Sequence, residues 1–494
     1  MPRRVVIHFR VCFMHLVAGR NQRRRHIMNK RGNRCIRTFG VSLAGLLLLA
    51  ASPVGNQGAF AADQTVNVSD SVAAALSYNP RLKVLQSNHE AIGFELDRAK
   101  GGYFPRVDIA AGYGAESHSD QLTRDGYIDP DTGELRGEGI EHNFYERGEA
   151  SIQLSQLLFD GWETSSRVGI EEAKLDSAKL RVFDNAEAIA LDAVIAHLEV
   201  YRQRTLYGLA EQNVRDHEEI LGMLNERQKA GAGSIADVTQ TQGRLARAKA
   251  SLAETRGSLR GAEANYQRVV GKLAGDVAYY TVPGDRLPKS METLIQSVEA
   301  GNPKVNALQH NVTEAEQRVE LSNANFLPKV NLELSSTYQD QVESSRTYEH
   351  NNQAMVRMRW NLINGGSDVA DRKAAIARKF QAINAKDDQR VQVVEEAAKT
   401  WALLQAAREQ VVDFGDATNQ SQKTLDSYMK QFTVGQRTLL DVLDARNELF
   451  QSSGLLVTAK VNEVIAAERL LALEGKLNES LKIDQALYTA ANKE

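Results

Sequence analysis

Asn79-Pro80-Arg81 returns as Asn302-Pro303-Lys304, and Phe104-Pro105-Arg106-Val107 as Phe326-Leu327-Pro328-Lys329-Val330. Both prolines recur 223 positions on. Further along, the spacing drops to 204 and holds there: Gly161 maps to Gly365, Gly231 to Gly435, Asp237-Val238 to Asp441-Val442, and Gly271-Lys272-Leu273 to Gly475-Lys476-Leu477. The first copy carries the longer polar loop between the two sets of matches. The sequence thus consists of one unit written twice, at residues 62–275 and 293–478, joined by a linker at 276–292 and followed by a tail at 479–494. Each unit is too elongated to bury its own apolar faces, so the architecture must come from repetition and assembly.

The segment before the first unit has the order of a secretory signal. Residues 1–61 hold eleven Lys/Arg and no Asp or Glu. An apolar run at 41–51 precedes Pro53, and Ala59-Phe60-Ala61 supplies small residues for cleavage. Met28, followed by Lys30, Arg31, Arg34 and Arg37, is the more ordinary start, which makes 1–27 an upstream extension. Both cysteines, Cys12 and Cys35, lie in this segment, so a mature chain has neither a disulfide nor a thiolate-held metal. Removing the eleven basic residues from 60 leaves 49 Lys/Arg against 63 Asp/Glu, a net charge of about −14. An acidic export product is a poor partner for nucleic acid.

Proline is absent between Gly161 and Lys229. Ala186, Ala193, Val200, Tyr207, Val214 and Leu221 recur every seven residues, and Val182, Ile189, Ala196, Ala210 and Leu224 form the offset seam, interrupted by Gln203 and His217. A heptad pattern of this length predicts a coiled-coil helix about 100 Å long. Leu191, Ile195, Leu198 and Leu209 lie off the seam and call for neighbours on more than one side. The second copy predicts the same helix over 366–432. Shorter helices are expected at 69–100, 235–273, 291–325 and 439–477, with a partly ordered tail beyond.

Two strands are expected in each copy. Val107, Ile109, Ala111 and Tyr113 alternate with polar or small residues, as do Ile152 and Leu154, then Leu332 and Leu334, then Val356 and Met358. Any one such segment fits a half-buried sheet. Four at matched positions in an exported chain fit transmembrane β-strands, with these eight apolar residues of strand centre (Val107, Ile109, Ile152, Leu154, Leu332, Leu334, Val356, Met358) toward lipid. Phe104, Phe159, Trp162, Phe326 and Trp360 sit at the strand–helix junctions, as an interfacial girdle requires. The polar stretch 116–147 is expected as an extracellular loop. Four strands cannot close a barrel, for which about eight is the floor, and an open edge is forbidden in lipid. Two chains would give eight strands and three would give twelve. The sequence demands an oligomer without choosing its order.

These features together resemble the TolC family of outer-membrane channel proteins over essentially the whole mature chain. The sharpest element is the run Val434-Gly435-Gln436-Arg437-Thr438-Leu439-Leu440-Asp441-Val442-Leu443-Asp444-Ala445, with Gly233-Ser234-Ile235-Ala236-Asp237-Val238 as its first-copy counterpart. The resemblance implies a mainly α fold: very long coiled-coil helices forming an α-barrel, and four β-strands per chain shared in the β-barrel of a homotrimer. It also implies an outer-membrane location reaching into the periplasm, a periplasmic adaptor, and an inner-membrane transporter. The run from Val434 to Phe450 looks most like the branch paired with ABC exporters of large adhesins, that is, type I secretion. Small-molecule efflux is the alternative, and a pore-less periplasmic scaffold a further one.

No enzyme is expected, since no phosphate-binding loop, His-Glu-x-x-His or Gly-x-Ser-x-Gly occurs. No cofactor or metal is expected either, because the mature histidines are scattered. By resemblance, Asp441 and Asp444 form an acidic ring at a periplasmic entrance latched by Arg437 and Asp237. The plainer reading is a capping box, which both Thr438-x-x-Asp441 and Ser234-x-x-Asp237 fit. Two family positions differ here: Phe432 replaces a tyrosine and Ala236 a hydroxyl residue.

Overall fold

The computed structural model describes residues 65–118, 127–129, 131–136, 143–231, 233–340 and 348–489. Residues 1–61, read from the sequence as a secretory signal, therefore lie outside the described residues. The fold is mainly helical with one four-stranded antiparallel sheet, as the sequence led us to expect. The first copy runs α1 (Val68–Tyr78), α2 (Pro80–Lys100), β1 (Arg106–His118), a short hairpin of β2 (Tyr127–Ile128) and β3 (Leu135–Arg136), β4 (Asn143–Phe159), α3 (Glu163–Lys229) and α4 (Ile235–Val270). The second runs α5 (Met291–Gly301), α6 (Pro303–Ala324), β5 (Lys329–Asp340), β6 (Tyr348–Arg359), α7 (Ser367–Thr433) and α8 (Leu439–Leu473). It is followed by α9 (Leu477–Ser480) and α10 (Ala486–Thr489).

The repeated motifs turn out to be the joints. The helices expected at 69–100 and 291–325 are each two helices, broken at Asn79-Pro80 and Asn302-Pro303. Proline drives the preceding residue out of the α region, and Asn79 and Asn302 are extended, with ψ of 117°. Each asparagine then caps the next helix, accepting from Arg81 N and Val305 N. The glycines that recur 204 residues apart all take positive φ: Gly161 and Gly365 before the long helices, Gly231 and Gly435 after them, and Gly271 and Gly475 beyond α4 and α8.

α3 and α7 are each 67 residues, so about 100 Å long. The expected seam is buried along most of α3: Val182, Ala186, Ile189, Ala193, Ala196, Val200, Ala210, Val214 and Leu224 are all inside. α3 packs on α4, α6, α2, α8 and α1, whereas α7 packs mainly on α8, α6 and α5. The main core is built from both copies, including Leu198, Leu294, Leu404, Leu470 and Leu471. The tail is not an appendage. Leu481, Ile483 and Tyr488 are buried in this core, and the buried Glu187 carboxylate accepts from Leu477 N at 2.9 Å and from Asn478 N at 3.2 Å. The linker is also laid down: Val66 and Val277 form a parallel bridge, and His197 Nε2 lies 2.9 Å from Ala278 O.

The sheet order is β1-β4-β5-β6, antiparallel throughout. β1 and β4 run well into the polar stretch expected as loop, because their ladder continues from Arg106↔Ser155 to His118↔Asn143. β6 ends at Arg359, so Trp360 and Leu362 fall beyond it. Among the described residues β1 and β6 are the unpaired edges of this sheet. No helix among the described residues is long and apolar enough to cross a membrane.

Candidate functional site: the sheet and the hairpin tips

The pairing register decides which side chains share a face. Val107 opposes Leu154, which opposes Leu334. Ile109 opposes Ile152, and Leu332 opposes Val356. Met358 opposes Val330, two residues before Leu332. All eight apolar residues predicted for lipid thus fall on one face of the sheet. Ile109 is 76% exposed and Val356 64%, so nothing among the described residues covers that face there. The other face carries Asp108, Gln153, Ser155, Asn331, Glu333, Arg357 and Arg359, with Arg357 Nε donating to Glu333 Oε2 at 2.8 Å. At the helix end of the strands, Phe159 and Trp162 meet edge to face at 5.4 Å, and Trp360 Nε1 donates to Phe326 O. At the opposite end Tyr338 and Tyr348 stack at 6.4 Å on the apolar face.

About 100 Å away along α3 and α7, the chain turns twice. Gly435 N donates to Phe432 O and Gln436 N to Gln431 O, the paired bonds of a glycine-terminated helix. Thr438 then starts α8. Thr438 and Asp441 cap one another reciprocally, with Asp441 N donating to Thr438 Oγ1 and Thr438 N to Asp441 Oδ2, both at 3.3 Å. The matching box in the first copy does not close. Ser234 Oγ accepts from Ala236 N instead, and the Asp237 carboxylate has no hydrogen bond or ion pair among the described residues.

Arg437 is held on three sides. Its Nε donates to Gln431 Oε1 at 3.0 Å, its guanidinium lies 4.1 Å from the Tyr428 ring centroid, and Nη1 is 3.8 Å from Asp441 Oδ2. Within one chain it does not meet Asp237. The two departures from the family pattern also acquire surroundings. Phe432 is buried with the Arg227 guanidinium 4.6 Å over its ring, and Ala236 is exposed. A small core of Ile220, Leu224, Leu425, Phe432, Leu439, Val442 and Leu443 binds the two hairpins at their tips.

Sequence reasoning missed the basic partners. Asp444 Oδ1 lies 2.5 Å from Arg244 Nη1, across from α4 to α8, and Arg446 pairs with Asp216 of α3. Arg244, Arg247, Gln240, His217, Asp444 and Asn447 line a cleft of about 630 Å³ between the hairpins. The repeat spacing held a clue: Asp444 minus 204 is Gln240, one turn before Arg244. Nothing in the spacing says that the two copies' turns face each other. No group of three or more His, Cys, Asp or Glu among the described residues could hold a metal.

A family profile described as "Outer membrane efflux protein" matches residues 72–272 and 294–476, the two repeats. The chain is 27% identical over 355 residues to the outer membrane efflux protein BepC of Brucella suis, covering 72% of this chain and 78% of that one. It is 24% identical over 357 residues to the alkaline protease secretion protein AprF of Pseudomonas aeruginosa, covering 70% and 73%. Among solved structures, the outer membrane protein VceC of Vibrio cholerae superposes with a TM-score of 0.66 at 17% identity, covering 84% of this chain and 95% of that one. The sheet, the paired long helices and a match spanning both repeats place this chain in the outer membrane efflux protein family, the non-enzymatic TolC-like channels of the outer membrane that extend into the periplasm.

Proposed function

We propose that three copies of the chain form one export duct, with a twelve-stranded β-barrel in the outer membrane and an α-barrel across the periplasm. The observation that carries this reading is the sheet: four strands, one apolar face, one charged face and two free edges. In lipid those edges must be paired, and further copies of the chain supply the missing strands. Val356→Arg and Leu332→Arg should each cost roughly 2–4 kcal/mol of insertion near mid-bilayer. Assembled oligomer, read as a heat-modifiable band from outer-membrane fractions, should fall. Asn331→Arg, on the charged face, should leave it intact. Equal losses on both faces would remove the barrel.

The tips form the periplasmic entrance in this reading, with Asp441 and Asp444 around the axis and Arg437 as a latch, Asp237 of an adjoining copy being its remaining candidate partner. Arg437→Ala should raise single-channel conductance at unchanged oligomer yield. Unchanged conductance would assign closure to the apolar tip core.

For cargo, we favour protein secretion with a periplasmic adaptor and an ABC exporter, supported by the likeness to a protease secretion protein and by the Val434–Phe450 run. The comparable likeness to an efflux protein favours small molecules. Deleting the gene separates the two: loss of secreted protein without altered drug susceptibility supports the first, and the reverse supports the second. Crosslinking from the tips would identify the transporter.

A further inference from the structure

We propose that Arg244 sets the charge selectivity of the entrance by neutralising Asp444, so that the two aspartates do not act as a ring of six free carboxylates. The proposal rests on the tips being the entrance.

Arg244 lies on α4 and reaches across to α8, where its Nη1 is 2.5 Å from Asp444 Oδ1. The arginine side chain is the more enclosed partner, 25% exposed against 67% for the aspartate. The guanidinium is therefore held by the helix packing and brought to the carboxylate. Arg247, one turn nearer the main core, lines the same cleft. Asp441 is separately engaged by Thr438 and by Arg437. Arg244 and Arg247 in the cleft and Arg437 at the turn thus stand among Asp237, Asp441 and Asp444, with Arg227, Lys229, Lys430, Glu226 and Asp426 also at the tips. Field focusing in a narrow passage follows the net charge of its wall, and here cations interleave with the carboxylates. A partly exposed pair of this kind adds little to stability. Its consequence is electrostatic. A carboxylate with a fixed cation in contact presents a dipole to the passage, and a dipole's field decays faster than a charge's.

The test is reversal potential in a salt gradient across planar bilayers, together with block by cobalt hexammine, a trivalent cation, added on the periplasmic side. The parent channel is expected to be weakly selective and weakly blocked. Arg244→Gln, which keeps length and loses charge, should raise cation over anion permeability several-fold and strengthen the block. Arg244→Lys should behave as the parent. Asp444→Asn leaves the arginine unopposed and should shift selectivity toward anions. The double variant Arg244→Gln/Asp444→Asn should return to parental selectivity. A parental Arg244→Gln, or one that changes conductance alone, overturns the proposal and leaves Arg244 a strut between hairpins. If Arg244→Gln does not assemble, the sign of the Asp444→Asn shift decides: toward anions supports the proposal, and loss of a pre-existing cation preference overturns it. A different pattern marks failure of the entrance reading itself: Arg244→Gln, Asp441→Asn and Asp444→Asn would all keep parental selectivity and block.

Discussion

α3 and α7 are the same helix written twice, and they differ at four positions that α7 exposes on one side. Val369, Phe380, Val391 and Val412 of α7 fall within an arc of about 60° at 3.6 residues per turn, and all four are exposed, by 48% to 64%. Their counterparts on α3, 204 residues earlier, are Ser165, Asp176, Glu187 and Gly208. Three of these are exposed and polar or small. The fourth, Glu187, is buried because the C-terminal segment folds over it and donates three hydrogen bonds to its carboxylate. At these four positions the unit is polar or small on α3 and apolar on α7, where the exposed Lys373, Glu409, Asp416 and Lys423 share the same arc. Large apolar side chains exposed on one side of a helix mark a contact surface, and in the proposed assembly another copy of the chain covers them. Divergence between repeats thus reports what each copy touches.

The comparison breaks most sharply if α7 is given the residues of α3. Val391→Glu and Phe380→Asp each place a carboxylate under the cover of a second copy, a burial costing several kcal/mol. Oligomer recovered from membranes in mild detergent is expected to vanish. An intact oligomer would mean that the stripe faces solvent or another partner.

A smaller effect is expected where the chain buries two acids, Glu187 in the first copy and Glu468 in the second. Burial pushes the Glu468 carboxyl up to about 7, and Glu187 likewise to about 7 against the hydrogen bonds that favour its charge. The buried Glu468 carboxyl faces the buried Tyr280 hydroxyl, and among the described residues neither makes a hydrogen bond of ordinary length. A carboxyl whose folded pKa lies above its unfolded value binds its proton more tightly when folded. Stability is therefore greatest at low pH, falls as pH rises past the ordinary carboxylate range, and levels off above about 7. Glu468→Gln should gain about 2–3 kcal/mol at pH 8 and almost nothing at pH 5, read from thermal unfolding in detergent. Glu187→Val, which installs the α7 residue, instead strands the amides of Leu477 and Asn478 and should lose about 1–3 kcal/mol. A pH-independent gain at Glu468 would show that its folded-state pKa is not raised above the unfolded value.

The smallest effect lies where the long helices begin. Trp162 and Gly366 occupy the same place, both left-handed, with φ of 68° and 85°. Gly366→Ala should cost about 1–2 kcal/mol in unfolding free energy, the usual penalty of a Cβ there. Trp162→Gly relieves that penalty but gives up the contact with Phe159, so its net change should be under about 1 kcal/mol. A large loss at Trp162 would mean that the aromatic junction outweighs the backbone.

Repeat spacing, heptads and alternation were local signals, and they carried most of the architecture. Each arises from the geometry of one element: 3.6 residues per turn puts a seam on one side of α3, and a period of two puts Val107 and Ile109 on one side of β1. The doubled unit and the two long helices could be written down from residue order alone. Where the order misled, a local rule was outweighed by another. Asn79-Pro80 broke a helix whose apolar pattern ran on, and Ser234 capped one residue short of Asp237. Contacts between the copies were decided only in three dimensions. Arg244 with Asp444, Arg446 with Asp216, and Glu187 with the amides of Leu477 and Asn478 join groups about 200 to 290 residues apart. No periodicity encodes such pairs, because they depend on how two hairpins settle against each other. The acidic pattern at the tips was legible in the sequence; the charge that opposes it came from α4 and α8 both packing on α3, which lets Arg244 reach Asp444.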